Sequence, residues 1–267
     1  YLFYKAFPIH FALLRGTYAD ENGNVTMEKE GFSVEVLSVA AACKNSGGKV
    51  IVQVEKVVKT GSLDPKLVKI PGIFVDTIVR VSNPEYHMQT FGEQYNPSYS
   101  GESRIPDGML RESEVNERKF ICRRAAMEIK PGYIVNLGIG MPEGIARIAG
   151  ERNLLQDLTL TVESGPVGGM PAGGLSFGAS WHPQAIVDQP AQFDYYDGRS
   201  LDFAALGMAQ VDRHGDVNVS KFGPRIAGVG GFVNITQTAK RLVFCGGFTA
   251  DGLQVDVIDG RLRIVQE

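Results

Sequence analysis

The sequence predicts an α/β protein made of two similar open α/β units, the first represented only in part. Three observations carry that expectation. Apolar, strand-like runs alternate with helix-patterned segments through short connections. Glycine is abundant, at 32 residues, and clusters between those runs, as tight turns and close backbone approach require. Two stretches also match two others at one shared spacing of 192 residues. "YADENGNVTM" (18–27) resembles "AQVDRHGDVNV" (209–219), with Asp20 against Asp212, Gly23 against Gly215 and Val25 against Val217. "GGKVIVQVEKVV" (47–58) meets "AKRLVFCGGFTA" (239–250), with Lys49 against Arg241 and Val50 against Leu242. Two matches at one spacing argue for duplication more strongly than either alone. The expected division is residues 1–81 as the C-terminal part of a first domain, 82–113 as a linker, and 114–267 as the second domain. On this reading the front of the first domain is missing before Tyr1.

The elements follow in order. Residues 82–109 are rich in Pro, Gly, Ser, Asn and Tyr and lack helical or strand period, so they read as an extended linker. Its aromatics, Tyr86, Phe91, Tyr95 and Tyr99, predict that it lies against the protein. Residues 112–129 pattern as a helix ended by Lys130-Pro131-Gly132. Residues 133–140 are a strand running into a glycine turn, and 142–153 a helix with Pro142 in its first turn. Residues 158–163 are the next strand. Strand, helix and strand with short connections imply parallel pairing. Glu163 then sits at the carboxyl end of a parallel strand, where open α/β sheets place ligands. Further strands are expected at 185–189, 201–212, 216–220 and 241–248.

Composition narrows the function. The apolar fraction of 43% and charged fraction of 21% are those of a globular protein. No apolar run reaches the length of a membrane span. A net charge of −3 gives no reason to expect nucleic acid or anionic lipid as partner. Cys43, Cys122 and Cys245 lie in separate apolar patterns and read as reduced, buried thiols of a cytoplasmic protein. His10, His87, His182 and His214 are scattered without ligand spacing, so no metal is expected.

Chemistry concentrates around "TLTVESGPVGGMPAGG" (159–174). Glu163 admits three readings: a solvated strand end, the ribose-binding acid of a nucleotide fold, or a nucleophile or base. The five glycines and two prolines that follow within eleven residues favour the last, since small residues would keep the approach to the carboxylate open. A carboxylate is ionised at neutral pH, so as a nucleophile it needs positioning and a reactive acyl donor rather than a base. "NLGIGMPEG" (136–144) is either a tight turn or a cradle of backbone N–H groups for an anion or oxyanion. It falls short of a dinucleotide fingerprint because Gly144 is one position late. "GVGGF" (228–232), with Gly228, Gly230, Gly231 and Phe232, leaves the same choice open between a packed turn and a ligand loop. Lys221 is either a surface lysine or a phosphate or pantetheine contact.

Taken together, "NLGIGMPEGIA", "VESGPVGG", "FGAS" (177–180), "QFDYYDG" (192–198), "GMAQVDRHGDVNVSKFG" (207–223) and "GVGGF" resemble the family I coenzyme A transferases, the short-chain acetate/propionate group in particular. The resemblance covers the whole chain. It implies two α/β CoA-transferase domains, with Glu163 of the E-[SN]-G motif as covalent nucleophile. It implies CoA and oxyanion contacts from Gly138, Gly140, Met141, Pro142, Gly228, Gly230, Gly231, Phe232 and Lys221. It also places Phe177, Gly178 and Ala179 at an acyl pocket. The expected substrates are short-chain acyl-CoA and a free carboxylate, with no permanently bound cofactor and no metal. The expected assembly is a homo-oligomer that includes the missing part of the first domain. An acyl-CoA hydrolase on the same scaffold, or a non-catalytic sugar-phosphate or nucleotide sensor, are the alternatives.

Overall fold

A computed structural model of the chain describes residues 3, 5–103, 114–199, 201–247 and 252–266. Residues 104–113 of the expected linker, the first two residues of the expected helix 112–129, and the last residue of the expected strand 241–248 lie outside the described residues.

The N-terminal sheet comprises β1 (Phe11–Asp20), β2 (Val25–Thr26), β3 (Lys49–Val58), β4 (Val68–Ile70) and β5 (Thr77–Arg80), in the order β4-β2-β1-β3-β5. Strands β1, β3 and β5 run parallel. Strand period puts Val50, Val52 and Val54 on one face, where they share a core with Val36, Ala40 and Cys43 of helix α1 (Val36–Asn45).

The C-terminal part begins with α2 (Glu117–Ala126), capped by the Asn116 side chain, which accepts from the Lys119 N–H at 3.0 Å. It continues through β6 (Ile134–Leu137), α3 (Gly144–Glu151), β7 (Thr159–Thr161), β8 (Pro166–Val167), β9 (Met170–Pro171), β10 (Ser180–Trp181), β11 (Ala185–Ile186), α4 (Gln189–Asp197) and β12 (Phe203–Gly207). Two exposed hairpins follow, β13 (Gln210–Val211) with β14 (Val217–Asn218) and β15 (Lys221–Phe222) with β16 (Arg225–Ile226). Helix α5 (Phe232–Thr238), β17 (Leu242–Cys245) and the hairpin β18 (Gln254–Ile258) and β19 (Arg261–Gln266) complete it. The sheet order is β11-β8-β7-β6-β12-β17, and the four strands β7, β6, β12 and β17 are parallel.

This sheet is covered on both faces. Val135, Leu137, Phe203 and Ala205 pack with Cys122 and Ala125 of α2 and Ile145 and Ile148 of α3. The alternate residues Ile134, Ala204, Leu206 and Leu242 meet Phe193 and Tyr196 of α4 and Ile235 of α5. Double coverage explains why β12 is apolar without alternation.

The 192-residue spacing reappears in three dimensions. Ala12 pairs with Val50, and Ala204 pairs with Leu242, both in parallel register. Ala19 pairs with Val25, and Val211 with Val217, both antiparallel. The intervening turns match in the backbone N–H groups that bond the leading aspartate. Asp20 accepts from the N–H groups of Asn22 (3.0 Å) and Asn24 (2.9 Å), and Asp212 from those of His214 (2.8 Å) and Asp216 (2.9 Å). Gly23 and Gly215 hold φ of +84° and +88°, a conformation that favours glycine.

The two sheets are joined through side chains. Asp188, just before α4, accepts from the Ser33 hydroxyl at 2.6 Å and the Lys69 ammonium at 3.1 Å. The Gln189 N–H donates to the Val34 carbonyl at 3.1 Å. The segment from 82 to 103 packs on the loops after β8: Tyr99 is buried and meets Trp181 edge-on at 5.2 Å, and Thr90 and Ser176 hydroxyls bond at 2.9 Å. Phe91 and Tyr86 of the same segment stand in solvent.

Candidate active site

Strand β7 ends at Thr161, and the chain turns back at once into antiparallel β8. The Val162 N–H donates to the Pro166 carbonyl (2.9 Å), and the Gly165 N–H to the Val162 carbonyl (3.0 Å). Glu163 and Ser164 are therefore the two tip residues of a tight turn. Glu163 is half-buried. The Gly165 conformation explains the residue: with φ +129°, an added Cβ would lie 2.0 Å from the Val187 carbonyl oxygen. Gly168 and Gly169 are crowded in the same way, by Gln184 and by the Trp181 carbonyl. The expectation that these glycines keep space open is corrected here. They let the Val187 and Trp181 backbones and the Gln184 side chain close up against the segment that follows the carboxylate.

Asn136 of β6 lies opposite Thr161, and strand period puts Glu163 on the same face. The fully buried Asn136 donates from Nδ2 to Glu163 Oε2 at 3.0 Å, while its own Oδ1 has no partner among the described residues. Behind it lies a buried network: Gln192 donates to the Tyr196 hydroxyl (3.0 Å), which donates to Thr161 Oγ1 (2.8 Å), which donates to the Val135 carbonyl (3.1 Å). Burial pushes the Tyr196 phenol up to about 12, the nearby Glu163 charge adding to it against its hydrogen bonds. It stays a neutral donor at ordinary pH. The nucleophile candidate thus rests on a buried polar network, unpaired at Asn136 Oδ1 alone among these atoms, with one amide aimed at it.

Two glycine loops border the turn. The first follows β6: Gly140 holds φ +85° with open space where a Cβ would be, and donates its N–H to Glu143 Oε1 at 2.9 Å. The second spans 172–178 and is tied to the turn by the Ser164 hydroxyl, which donates to the Gly178 carbonyl. The parallel order sets what shares this edge. Glu163, the loop after Leu137, the residues after Gly207 and those after Cys245 all follow the carboxyl ends of adjacent strands.

A family model described as Coenzyme A transferase matches residues 1–81. The caffeate CoA-transferase of Acetobacterium woodii is 47% identical over 272 residues, covering 100% of this chain and 52% of that protein. The acetate CoA-transferase YdiF of Escherichia coli O157:H7 is 41% identical, covering 100% of this chain and 50% of its own length. A crystal structure of the same organism's YdiF acyl-CoA transferase, as a thioester complex with CoA, superposes with TM-score 0.82 at 40% identity over 99% of this chain and 48% of that one. The chain belongs to the coenzyme A transferase family. It spans about half the length of the curated relatives it matches.

Within this coenzyme A transferase fold, the residues expected at the site divide. The Gly138 N–H is spent in the sheet, donating to the Ala205 carbonyl at 2.8 Å, and a Cβ there would lie 2.9 Å from the Leu206 side chain. Gly138 thus serves close approach and has no N–H free for an oxyanion. Met141 packs against the core and Pro142 is buried. Ala179, expected in an acyl pocket, is instead fully buried against Tyr99, Ala172, Phe32 and Trp181. Phe177 is half-buried, and Gly178 is held at φ +106° against the Phe32 ring. Gly228 and Gly230 hold positive φ in open surroundings, Gly231 packs on Phe193, and Phe232 stacks on Phe244 at 5.7 Å. Lys221 is exposed on the β15–β16 hairpin. Asn136, Tyr196 and Glu143 were not singled out as site residues by their sequence. Asn136 has one usable signal, a polar residue inside an otherwise apolar strand beside the strand that leads to Glu163. Among the described residues, no group of three or more His, Cys, Asp or Glu is placed to hold a metal, and no helix is long and apolar enough to cross a membrane.

Proposed function

We propose that the protein transfers coenzyme A between a short-chain acyl-CoA and a free carboxylic acid through a covalent thioester on Glu163. The observation that carries this reading is the half-buried Glu163 carboxylate, held at 3.0 Å by a buried amide on the carboxyl-end edge of the parallel sheet. One Glu163 oxygen attacks the thioester carbonyl and expels CoA thiolate, giving a mixed anhydride. The thiolate then attacks the Glu163 carbonyl and expels the donor acid, leaving a glutamyl-CoA thioester. The acceptor carboxylate runs the same steps in reverse, so the thioester energy is conserved without ATP. Attack on the Glu163 carbonyl builds negative charge on its own oxygen, and the Asn136 amide already points there.

The relatives support the class of chemistry: one is named for caffeate, one for acetate, and the YdiF structure is described as a CoA thioester complex. We assign residues 1–81 and 114–267 to two CoA-transferase domains joined by 82–113, in a cytoplasmic homo-oligomer. Gly140, Met141, Pro142, Gly228, Gly230, Gly231, Phe232 and Lys221 are the candidate CoA contacts, and Phe177 with Gly178 border the acyl group. The test is incubation with acetyl-CoA, borohydride reduction and peptide mass spectrometry. A mass loss on the peptide containing Glu163 is expected. An unmodified peptide refutes the mechanism, and thiol release that needs no added carboxylate redirects it to hydrolysis.

A further inference from the structure

Glu143 joins two loops that the chain keeps 31 residues apart. Its Oε1 accepts the Gly140 N–H at 2.9 Å and the Gly174 N–H at 3.3 Å. Its Oε2 lies 3.6 Å from Arg118 Nη2, and the same guanidinium donates to the Gly140 carbonyl. A carboxylate reaching back three residues to a helix-start N–H is ordinary capping. The bond to Gly174 is not capping, because Gly174 belongs to the loop that Gly178 ties to Ser164 beside the nucleophile. The sequence has also cleared room for this contact: a Cβ on Gly173 would lie 2.7 Å from Glu143 Oε2. Each loop holds one large apolar side chain in solvent, Ile139 at 57% exposure and Leu175 at 71%. Exposed apolar side chains on paired loops at a site edge are what an acyl chain would cover.

We infer that Glu143 is a positioning residue: it clasps the two glycine loops flanking Glu163 and so fixes the opening, edged by Ile139 and Leu175, through which the acyl chain enters. The inference rests on the transferase reading above and adds a determinant of acyl-chain length. Opening the clasp lets the loops part and admits longer chains, while the nucleophile and its Asn136 partner are untouched.

The test compares the wild type with Glu143→Ala and Glu143→Asp by amide hydrogen exchange and by relative kcat/KM for acetyl-CoA and hexanoyl-CoA. Aspartate keeps the charge beside Arg118 but is one methylene too short to span to the Gly174 amide of the other loop, already 3.3 Å from Glu143. It therefore separates reach from charge, and it remains informative should the alanine variant fold poorly. Exchange at Gly174 is expected to rise roughly tenfold or more in both variants, the loss of one hydrogen bond to a charged group. The hexanoyl-to-acetyl preference is expected to rise several-fold. Wild-type exchange at Gly174 in Glu143→Asp overturns the clasp, as does an unchanged chain-length preference in a variant that turns over. A wild-type protein that transfers no CoA at all refutes the transferase reading, and with it the substrate half of this inference. The exchange measurement still decides whether Glu143 holds the loops.

Discussion

Replacing Asn136 with leucine separates positioning of Glu163 from stability of the fold. Leucine keeps the branched shape but removes the amide that donates to Glu163 Oε2 at 3.0 Å. The fold has little to lose. Asn136 Oδ1 is already unpartnered, and Tyr196 keeps Thr161 at 2.8 Å and Gln192 at 3.0 Å. The amide's other contacts, to the Thr161 carbonyl and the Tyr196 hydroxyl, are long at 3.4 Å, and the half-buried Glu163 can exchange its lost bond for water, so stability should fall by only about 1 kcal/mol. The chemistry has more to lose. Losing a donor aimed at a developing oxyanion costs on the order of 3 kcal/mol, or roughly 10²-fold in rate. The assay is rapid mixing with acetyl-CoA, quenching, borohydride reduction and mass spectrometry of the Glu163 peptide, with thermal unfolding measured in parallel. Thioester formation at the wild-type rate in Asn136→Leu would refute the role of this amide. A large fall in melting temperature would refute the argument that the bond is functional rather than structural.

Other outcomes follow from the same geometry. Gly165→Ala should destabilise the protein by about 3 kcal/mol or more, because its Cβ meets the Val187 carbonyl at 2.0 Å and φ is +129°; chemical denaturation checks this. Tyr196 is pushed up to about 12 by burial, so between its ordinary value near 10 and 12 the folded state binds more protons than the unfolded one. Stability should therefore fall as pH rises through that window, by on the order of 2 kcal/mol from this group, and Tyr196→Phe should reduce the slope in urea titrations at pH 9 to 12, the remainder coming from Tyr99 and Cys245, which burial pushes up to about 12 and about 11. For Asp188, burial acts to raise the carboxyl, but the Ser33 hydroxyl and the Lys69 ammonium outweigh it and hold it below its ordinary value. Its tie between the sheets is present above an ordinary carboxyl pKa and lost as pH falls through the lowered one. Fluorescence of Trp181, the one tryptophan, should report that acid step in the wild type and not in Asp188→Ala.

The parallel strands were the most legible part of the fold. Residues 133–140 and 158–163 contain β6 and β7, because buried β-branched runs between helical patterns admit few other arrangements. The duplication was legible too, since the Asp20 and Asp212 turns demand the same residues at the same places. The expected strand 201–212 breaks into β12 and β13: unlike β1, which has ten-residue β3 beside it, β12 lies between β6 and β17, each of four residues. Strand β8 is not visible in the sequence, because two residues show no period, whereas β11 falls within the expected strand 185–189. Helix α4 also escaped, its Pro190 start and single buried stripe of Gln192 and Tyr196 being too short to stand out. At the site, Glu163 could be read because a carboxylate before a glycine run is unusual. Asn136 and Glu143 act across strands and loops, and only folding brings their partners near.

The turn that bears Glu163 is stitched at both ends and packed beneath, so the carboxylate can move only by rotating its own side-chain bonds. A reacting partner would have to travel to it. On the nucleophile role proposed for Glu163, descendants of this protein could therefore change which acid they accept by remodelling the surrounding loops while leaving the turn alone.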